Sequence, residues 1–133
     1  MDIVPFTSVG ILKFGDSRQE AREKLDSNFT TFRKHSSEIE TDAFENLHIH
    51  LYYDQERRLE FVEAFAPAEV TLHGITFLGR NLGDVILDMK SLGFIPTESD
   101  DTSAEFEGAG IALTAPSGVV ETVAAHRKGY YEQ

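Results

Sequence analysis

The sequence predicts one α+β domain made of two tandem β-α-β-β halves, residues 8–66 and 67–133. Together these halves form one antiparallel sheet of about six strands with two helices on one face. The first observation is the length, because 133 residues suit a single compact domain with one core. The second is an internal repeat. The third is a pair of helical stripes, each followed by segments in which apolar and polar residues alternate.

The internal repeat consists of three blocks that recur in the same order. The first recurs at an offset of 64 residues and contains Gly10, Ile11 and Gly15, then Gly74, Ile75 and Gly79. The second recurs at an offset of 62 and contains Phe44, Ile49 and Leu51, then Phe106, Ile111 and Leu113. The third recurs at an offset of 61 and contains Glu60, Val62 and Ala64, then Glu121, Val123 and Ala125. Because each block has the same predicted element type in both copies, the repeat predicts two halves of one topology.

The first helix is predicted to begin after Ser17. Ser17 is a favourable N-cap residue, and Glu20 follows it at the spacing of a capping box. Apolar residues then recur at helical spacing and form one stripe, Ala21, Leu25, Phe29 and Phe32. This stripe predicts a helix that continues to the region of Phe32.

The second helix is predicted between Asn81 and Gly93. Asn81 with Asp84 repeats the cap-and-acid pattern of the first helix. Gly93 suits a left-handed position after the last turn, and Pro96 prevents continuation of the helix. The apolar stripe is wider than in the first helix, which predicts deeper burial, and it contains Leu82, Val85, Ile86, Met89 and Leu92.

The strands of the first half are predicted from alternation. Residues 47–53 place leucine, isoleucine and tyrosine on one face, and the opposite face carries His48, His50 and Tyr52. A turn at residues 54–57 leads into a strand over 58–65. The facing of that strand stays open, because Leu59, Phe61 and Val62 can all point inward only if the strand contains a bulge.

The strands of the second half follow the same logic. Residues 69–77 are long enough to cross over and lead this half. Residues 110–115 and 119–126 then flank a Pro-Ser-Gly turn. These segments complete the six predicted strands.

Composition excludes several classes of protein. The chain has 23 acidic and 12 basic residues, and its formal charge of −11 argues against a nucleic-acid ligand. It has no cysteine, which excludes disulfides, thiol catalysis and cysteine-ligated metals. It has no apolar run of 18 residues, and its first residues lack the pattern of a secretory signal, so we expect a cytoplasmic protein that does not contact a membrane.

Catalytic motifs are absent from the sequence. It contains no nucleophile elbow, no phosphate-binding glycine loop and no zinc-protease helix motif. Carboxylates are abundant, but no spacing singles out an acid/base pair. We therefore predict that the protein is not an enzyme, and we assign it no cofactor and no metal.

Two segments of the sequence carry a resemblance. The string RLEFVEAFAPAEVTLHGITFLG and the closing string GVVETVAAHRKGYYEQ resemble a group of small, uncharacterised bacterial proteins. The duplicated helix-plus-hairpin layout is similar in outline to the β-lactamase inhibitory protein and to small lipoproteins of outer-membrane assembly. The resemblance implies a protein-binding scaffold whose sheet face or loops contact a partner.

His48 and His50 form the one pattern with metal-ligand character. Two residues apart on a strand, both imidazoles leave the same face and can reach one Zn²⁺ ion at about 2.0–2.1 Å. A third ligand could come from a neighbouring strand, where the candidates are His73, His126 and Glu60. Alternatively, both histidines face solvent or a partner, together with Tyr52.

Two acid-rich segments are predicted to be loops. The first contains Glu38, Glu40, Asp42 and Glu45, and the second contains Glu98, Asp100, Asp101, Glu105 and Glu107. Neither has the ligand spacing of a calcium-binding loop. They are predicted to form a solvated acidic rim, or a surface that attracts a basic protein.

These observations favour a non-enzymatic protein-binding module, possibly an immunity or inhibitor protein for a basic partner. The predicted contact residues are His48, His50, Tyr52, Asp100 and Asp101. The alternative is a small-molecule or metal-binding domain that uses the histidine face. A homo-oligomer formed through an open sheet edge is a third hypothesis.

Overall fold

The computed structural model describes residues 1–33 and 38–130. Its helices are α1 (Arg18–Leu25) and α2 (Leu82–Ser91), with a short 3-10 turn at Glu45–Leu47. The first seven strands are β1 (Ile3–Val4), β2 (Ser8–Val9), β3 (Leu12–Lys13), β4 (Thr30–Arg33), β5 (Glu40–Phe44), β6 (Ile49–Tyr53) and β7 (Leu59–Phe65). The remaining strands are β8 (Thr71–Leu72), β9 (Ile75–Thr76), β10 (Glu98–Ser99), β11 (Ser103–Phe106), β12 (Ile111–Thr114) and β13 (Thr122–His126).

The main sheet has eight strands in the order β10-β11-β12-β13-β7-β6-β5-β4, and every neighbouring pair is antiparallel. The predicted α+β class with two helices and an antiparallel sheet is therefore confirmed. The predicted count of six strands was wrong. Strands β4, β5, β10 and β11 add to the outer edges of the sheet. The segments predicted to lead each half instead form two small separate hairpin sheets, β1-β2-β3 and β8-β9.

The segments predicted as acidic loops contain the outer strands. Asp42 lies in β5 and is fully buried, although its neighbours in sequence suggested a solvated rim. Glu98 and Glu105 lie opposite each other in β10 and β11. A short strand rich in carboxylates has too little apolar alternation to be recognised from sequence, which explains why the sheet was underestimated.

The two helix N-termini are attached to the sheet in the same way. In the first half the Gly15 N–H donates to the Leu59 carbonyl, and the Leu59 N–H donates to the Asp16 carbonyl, both at 2.8 Å. In the second half the equivalent hydrogen bonds, at 2.9 and 2.8 Å, join the residues at offsets of 64 and 61, Gly79, Arg80 and Val120. These are two of the offsets at which the sequence repeats, so each helix begins at the same place relative to the last strand of its half.

Both helices begin and α2 ends as their caps dictate, but α1 is shorter than predicted. Ser17 and Glu20 form a complete capping box, and the Asn81 side chain accepts the Gly83 N–H. At the end of α2 the N–H groups of Gly93 and Phe94 bond back to Lys90 and Met89. This pair of bonds is a Schellman motif.

Helix α1 ends at Leu25 and does not continue to Phe32. Asp26 adopts a left-handed conformation with φ of 44°, and its N–H donates to the Arg22 carbonyl. Phe29 then packs on Phe44 with ring centroids 5.3 Å apart, and Phe32 lies in strand β4. The helical stripe was therefore misread, because its last two members contact the sheet from an extended segment.

The core lies between the helices and one face of the main sheet. Cross-strand partners share a face, and on this side nearly all of them are buried and apolar. A register shift between Tyr52 and Tyr53 marks a bulge in the pairing with β7. It allows Leu59 and Val62 both to be buried in the core while Phe61 points to the other face.

The two helices contact the sheet through different chemistry. Helix α2 buries Leu82, Val85 and Met89, whereas the fully buried residue of α1 is Ala21. Helix α1 instead contributes Arg22, whose Nε and Nη2 atoms donate to the Asp42 carboxylate at 2.8 and 2.7 Å. The Tyr53 hydroxyl donates a third hydrogen bond to Asp42 at 2.7 Å. Asp42 has no exposed side-chain surface, so these donors replace its lost hydration.

The Asp42 contacts generate a prediction about stability. Asp42→Ala should lower the free energy of unfolding by about 3 kcal/mol, because Arg22 and Tyr53 lose their acceptor in a partly buried site. Adding Arg22→Ile and Tyr53→Phe should restore part of this loss, since no donor is then left unpaired. Urea unfolding of the three proteins measures the effect. A triple variant less stable than Asp42→Ala would contradict the argument.

A second tertiary contact joins the N-terminal segment to the second half. Phe6, in the turn between β1 and β2, places its ring against Gly110 and edge-on to His126 at 6.2 Å. Gly110 has φ of +65°, and a Cβ atom there would lie 2.9 Å from both the Phe6 ring and the His126 carbonyl oxygen. The position therefore requires glycine for its backbone and for its space.

Gly110→Ala should lower the free energy of unfolding by about 2–4 kcal/mol, from a left-handed backbone and from overcrowding of Phe6. Gly108→Ala is the matched control two residues away. Its Cβ would meet no heavy atom within 4 Å, so we expect a change below about 0.5 kcal/mol. Thermal and urea unfolding compare the two variants, and equal stabilities would show that the contact is not formed.

Candidate functional site

The face of the main sheet that turns away from the helices is the candidate site, and we call it the open face. Its members follow from strand pairing, because directly opposed residues share a face. In the first half they are Thr30, Phe32, Thr41, Ala43, His50, Tyr52, Phe61, Glu63 and Phe65. In the second half they are Glu98, Ser103, Glu105, Ala112, Thr114, Thr122, Ala124 and His126.

Aromatic side chains cover the first half of the open face. The His50 ring lies 5.3 Å from Phe32 and 4.7 Å from Phe65, in edge-to-face contact with both. The Phe61 ring makes the same kind of contact with Tyr52 at 5.3 Å. Phe32 is 38% exposed, and the other four are half-buried by one another. The result is a continuous apolar patch on a sheet face that no helix covers.

Tyr130 extends this patch toward the second half. Its ring lies 5.0 Å from Phe61 and 5.4 Å from His126. The His126 ring is buried, and its Nδ1 atom lies 3.0 Å from the Arg127 carbonyl oxygen. The segment after β13 therefore folds back onto the open face.

A carboxylate lies in the middle of the aromatic patch. The Tyr52 hydroxyl donates to Glu63 at 2.9 Å, and His50 Nδ1 lies 3.9 Å from the same oxygen. His50 Nε2 also lies 3.6 Å from the Glu45 carboxylate. Burial and the negative charge of Glu63 raise the pKa of Tyr52, so its phenol keeps its proton and stays a hydrogen-bond donor.

The charge of the open face has one sign. In the eight strands its charged residues are Glu63, Glu98 and Glu105, and none of its strand positions is Lys or Arg. Glu98 is directly opposite Glu105, an arrangement that like charges destabilise. The face therefore combines an aromatic patch with carboxylates that the strands do not neutralise.

The structure corrects the predicted position of His48. The residue is not part of strand β6 but follows the 3-10 turn in a left-handed conformation, with φ of 59°. It is exposed, while His50 lies in the strand and is half-buried. The two imidazoles therefore do not share a strand face, and the geometric basis of the His-x-His metal site was wrong. In residues 1–33 and 38–130, no group of three or more His, Asp or Glu side chains is arranged to hold a metal ion.

Asp100 and Asp101 lie in the turn between β10 and β11. Asp100 Oδ1 accepts hydrogen bonds from the Thr102 N–H and hydroxyl and from the Ser103 hydroxyl. These bonds hold the pKa of Asp100 below its ordinary value. Asp100 therefore has a structural role in the turn, whereas Asp101 is exposed. Three strands, β12, β13 and β7, separate this hairpin from the strand that carries His50.

Glu60 is the carboxyl group with the strongest signs of a special environment, and its contacts are structural. Burial raises its pKa, which Arg127 opposes from 3.0 Å. The Arg127 N–H also donates to the Glu60 carbonyl at 2.9 Å. The pair fixes the exit of β13, and neither group faces a second acid or base at hydrogen-bonding distance among the described residues.

A cleft beside the N-terminal hairpin was considered for the small-molecule alternative. It measures about 490 Å³ and lies between β2, β3, α1 and the 3-10 turn. Its lining is apolar apart from Lys24 and Glu69, and Lys24 is ion-paired to Asp16 at 2.7 Å. Ligand sites normally present several converging polar groups, and this cleft does not.

Comparison of the chain with protein-family models, with curated proteins and with solved structures finds no match. The function proposed below therefore depends on the geometry alone. In the part of the chain that the structure describes, no helix has the length and apolar character needed to cross a membrane.

Sequence reasoning missed several residues of the site. Phe61, Glu63 and Phe65 alternate in β7 and could have been assigned to the face of His50, but the bulge at Glu60 made the facing ambiguous. Glu105 was assigned to a loop. Its exposure on a sheet face depends on the pairing of β11 with β12, which no local pattern indicates.

The environment of Tyr52 predicts a pH effect. A phenol whose pKa is higher in the folded state stabilises the fold below about pH 10, its ordinary pKa, and loses that contribution as the pH rises further. The free energy of unfolding should therefore fall more steeply above pH 10 in the wild-type protein than in Tyr52→Phe. Urea unfolding at several pH values from 9 to about 11 tests this. Parallel slopes would show that Tyr52 is not buried beside Glu63.

Proposed function

We propose that this chain is a non-enzymatic protein-binding module, of the immunity or inhibitor kind, whose open face covers a basic surface of a partner protein. The observation that supports it is the open face itself. Half-buried aromatic side chains such as Tyr52 and Phe61 lie there beside carboxylates, and its strands supply no cation to neutralise them. Large apolar patches on a sheet face mark interaction surfaces more often than ordinary solvent-exposed strands.

The aromatic patch would supply most of the affinity. Tyrosine, with its apolar ring and polar hydroxyl, is enriched among residues whose truncation costs an interface about 2 kcal/mol or more. Tyr52 and Phe61 hold each other in one orientation through an edge-to-face contact at 5.3 Å. Because the rings are already ordered, binding costs them little conformational entropy.

The acidic charge would supply rate and selectivity. A net charge of −11 attracts a basic protein from a distance and can raise association rates well above the neutral range of about 10⁵–10⁶ M⁻¹s⁻¹ at low salt. Asp101 contributes to this long-range field without making a structural bond. The inhibitory mechanism would be occlusion, in which the sheet covers a functional surface of the partner.

Affinity capture from lysate of the source organism, at about 50 mM and 300 mM salt, tests the proposal. We expect one stoichiometric basic protein at low salt and much less at high salt. Phe32→Ser should weaken this association at least tenfold, and Asp101→Asn should slow it without changing dissociation. Leu87→Ser is the control, because Leu87 is 64% exposed on α2, on the other side of the sheet.

Two results would overturn the proposed function. One is an acidic partner whose binding does not depend on salt. The other is a basic partner whose affinity falls with Leu87→Ser and not with Phe32→Ser, which would place the contact on the helical side.

A further inference from the structure

The two halves present side chains of different size at equivalent positions of the open face. Offsets of 62 and 61 relate the strands of the halves, and both halves keep the same antiparallel pairing there. The first half carries bulky residues where the second carries alanine or threonine. The pairs are His50 and Ala112, Tyr52 and Thr114, Phe61 and Thr122, and Glu63 and Ala124.

This difference creates a step in the surface at the centre of the sheet. We call the low side the shelf, and it consists of Ala112, Thr114, Thr122 and Ala124. The step rises on the β7 side, where Phe65 is paired with Thr122 and Glu63 with Ala124. On the far side the shelf ends at β11, where Glu105 is paired with Ala112. The Thr114 and Thr122 hydroxyls hydrogen-bond to each other, so the floor is largely satisfied without a ligand.

We propose that the shelf accepts an extended basic segment of the partner, with one cationic side chain at Glu63 and a second at Glu105. The inference rests on the proposed function and adds the chemistry that the partner must present. Glu63 and Glu105 lie in one row across the sheet, with Ala124 and Ala112 between them. Three strand spacings separate the two carboxylates, a distance of about 14 Å. An extended segment covers that distance in about four residues, so its cations are four positions apart.

The chemistry of the floor favours arginine over lysine in this segment. Alanine methyl groups at positions 112 and 124 leave room for a long side chain to lie flat, and the Phe65 ring offers a surface on which a guanidinium can stack. A cation at Glu105 also relieves its repulsion with Glu98 on the adjacent strand. A neutral or acidic segment would gain neither interaction.

The internal repeat offers a variant that closes the shelf with little risk to the fold. Ala112→His with Thr114→Tyr introduces the residues that already occupy the equivalent positions in the first half, His50 and Tyr52. The same backbone pairing accommodates those bulky side chains on β6. The variant adds no charge at neutral pH, so the overall field of the protein is retained.

The experiment measures binding of two synthetic peptides by NMR titration of the full-length ¹⁵N-labelled protein. One peptide is seven residues long and has two arginines four positions apart in a serine and alanine background. The other has the same composition with the arginines adjacent. We expect the first to bind at least threefold more tightly and to shift the amides of the shelf before those of the Asp100–Asp101 turn. The Ala112→His/Thr114→Tyr variant should lose this binding at least tenfold while its unfolding midpoint stays close to wild type.

The outcomes separate this inference from the proposed function. If both peptides bind equally, or if the filled variant binds them normally, the shelf is not the site, although capture that depends on Phe32 would still support the protein-binding function. If Glu63→Gln with Glu105→Gln weakens binding no more than Asp101→Asn, the two carboxylates are not the contacts. A concentration-dependent dimer that the filled variant disperses would assign the shelf to a second copy of the chain and overturn the proposal.

Discussion

The hydrogen bonds to the buried Asp42 carboxylate determine how the first half is assembled. Asp42 is fully buried in β5, the second strand from one edge of the sheet, and accepts from Arg22 of α1 and from Tyr53 of β6. One acceptor therefore connects a helix and two strands. Helix α1 is short and buries little apolar surface, so packing alone would hold it weakly. The orientation of β5 depends on the same contact, and with it the face to which its neighbours present His50 and Tyr52.

The second half reaches the same architecture without a buried charge. At the repeat offsets of 64 and 62, apolar Ile86 and Ala104 stand where the first half has Arg22 and Asp42. Helix α2 contacts the sheet through Leu82, Val85 and Met89. The backbone framework is thus common to both halves, while the side chains on each surface have diverged. This divergence gives the open face one aromatic side and one low side, although both sides have the same strand pairing.

The parts of the fold with local signals could be predicted, and the others depended on pairing. The capping box at Ser17 and the glycine after α2 fixed where helices begin and end, because their hydrogen bonds lie within a few residues. The strands of Ile49–Tyr53 and Leu59–Phe65 were recognisable from alternation. The outer strands were not, since buried Asp42 reads as solvated until Arg22 is known to meet it. Half of the open face was equally hidden, because the placement of Glu105 follows from β11 and β12 pairing.

The two edges of the main sheet differ in their ability to pair with another chain. Strand β10 has two residues and places Glu98 beside Glu105, and a short, negatively charged edge discourages the addition of a further strand. Strand β4 has four exposed residues and keeps an open edge. A sheet with a single open edge cannot grow into a filament, since end-to-end growth needs two compatible edges. Any association through this sheet edge closes as a two-fold pair, which limits the aggregation hazard that an eight-stranded open sheet would otherwise carry.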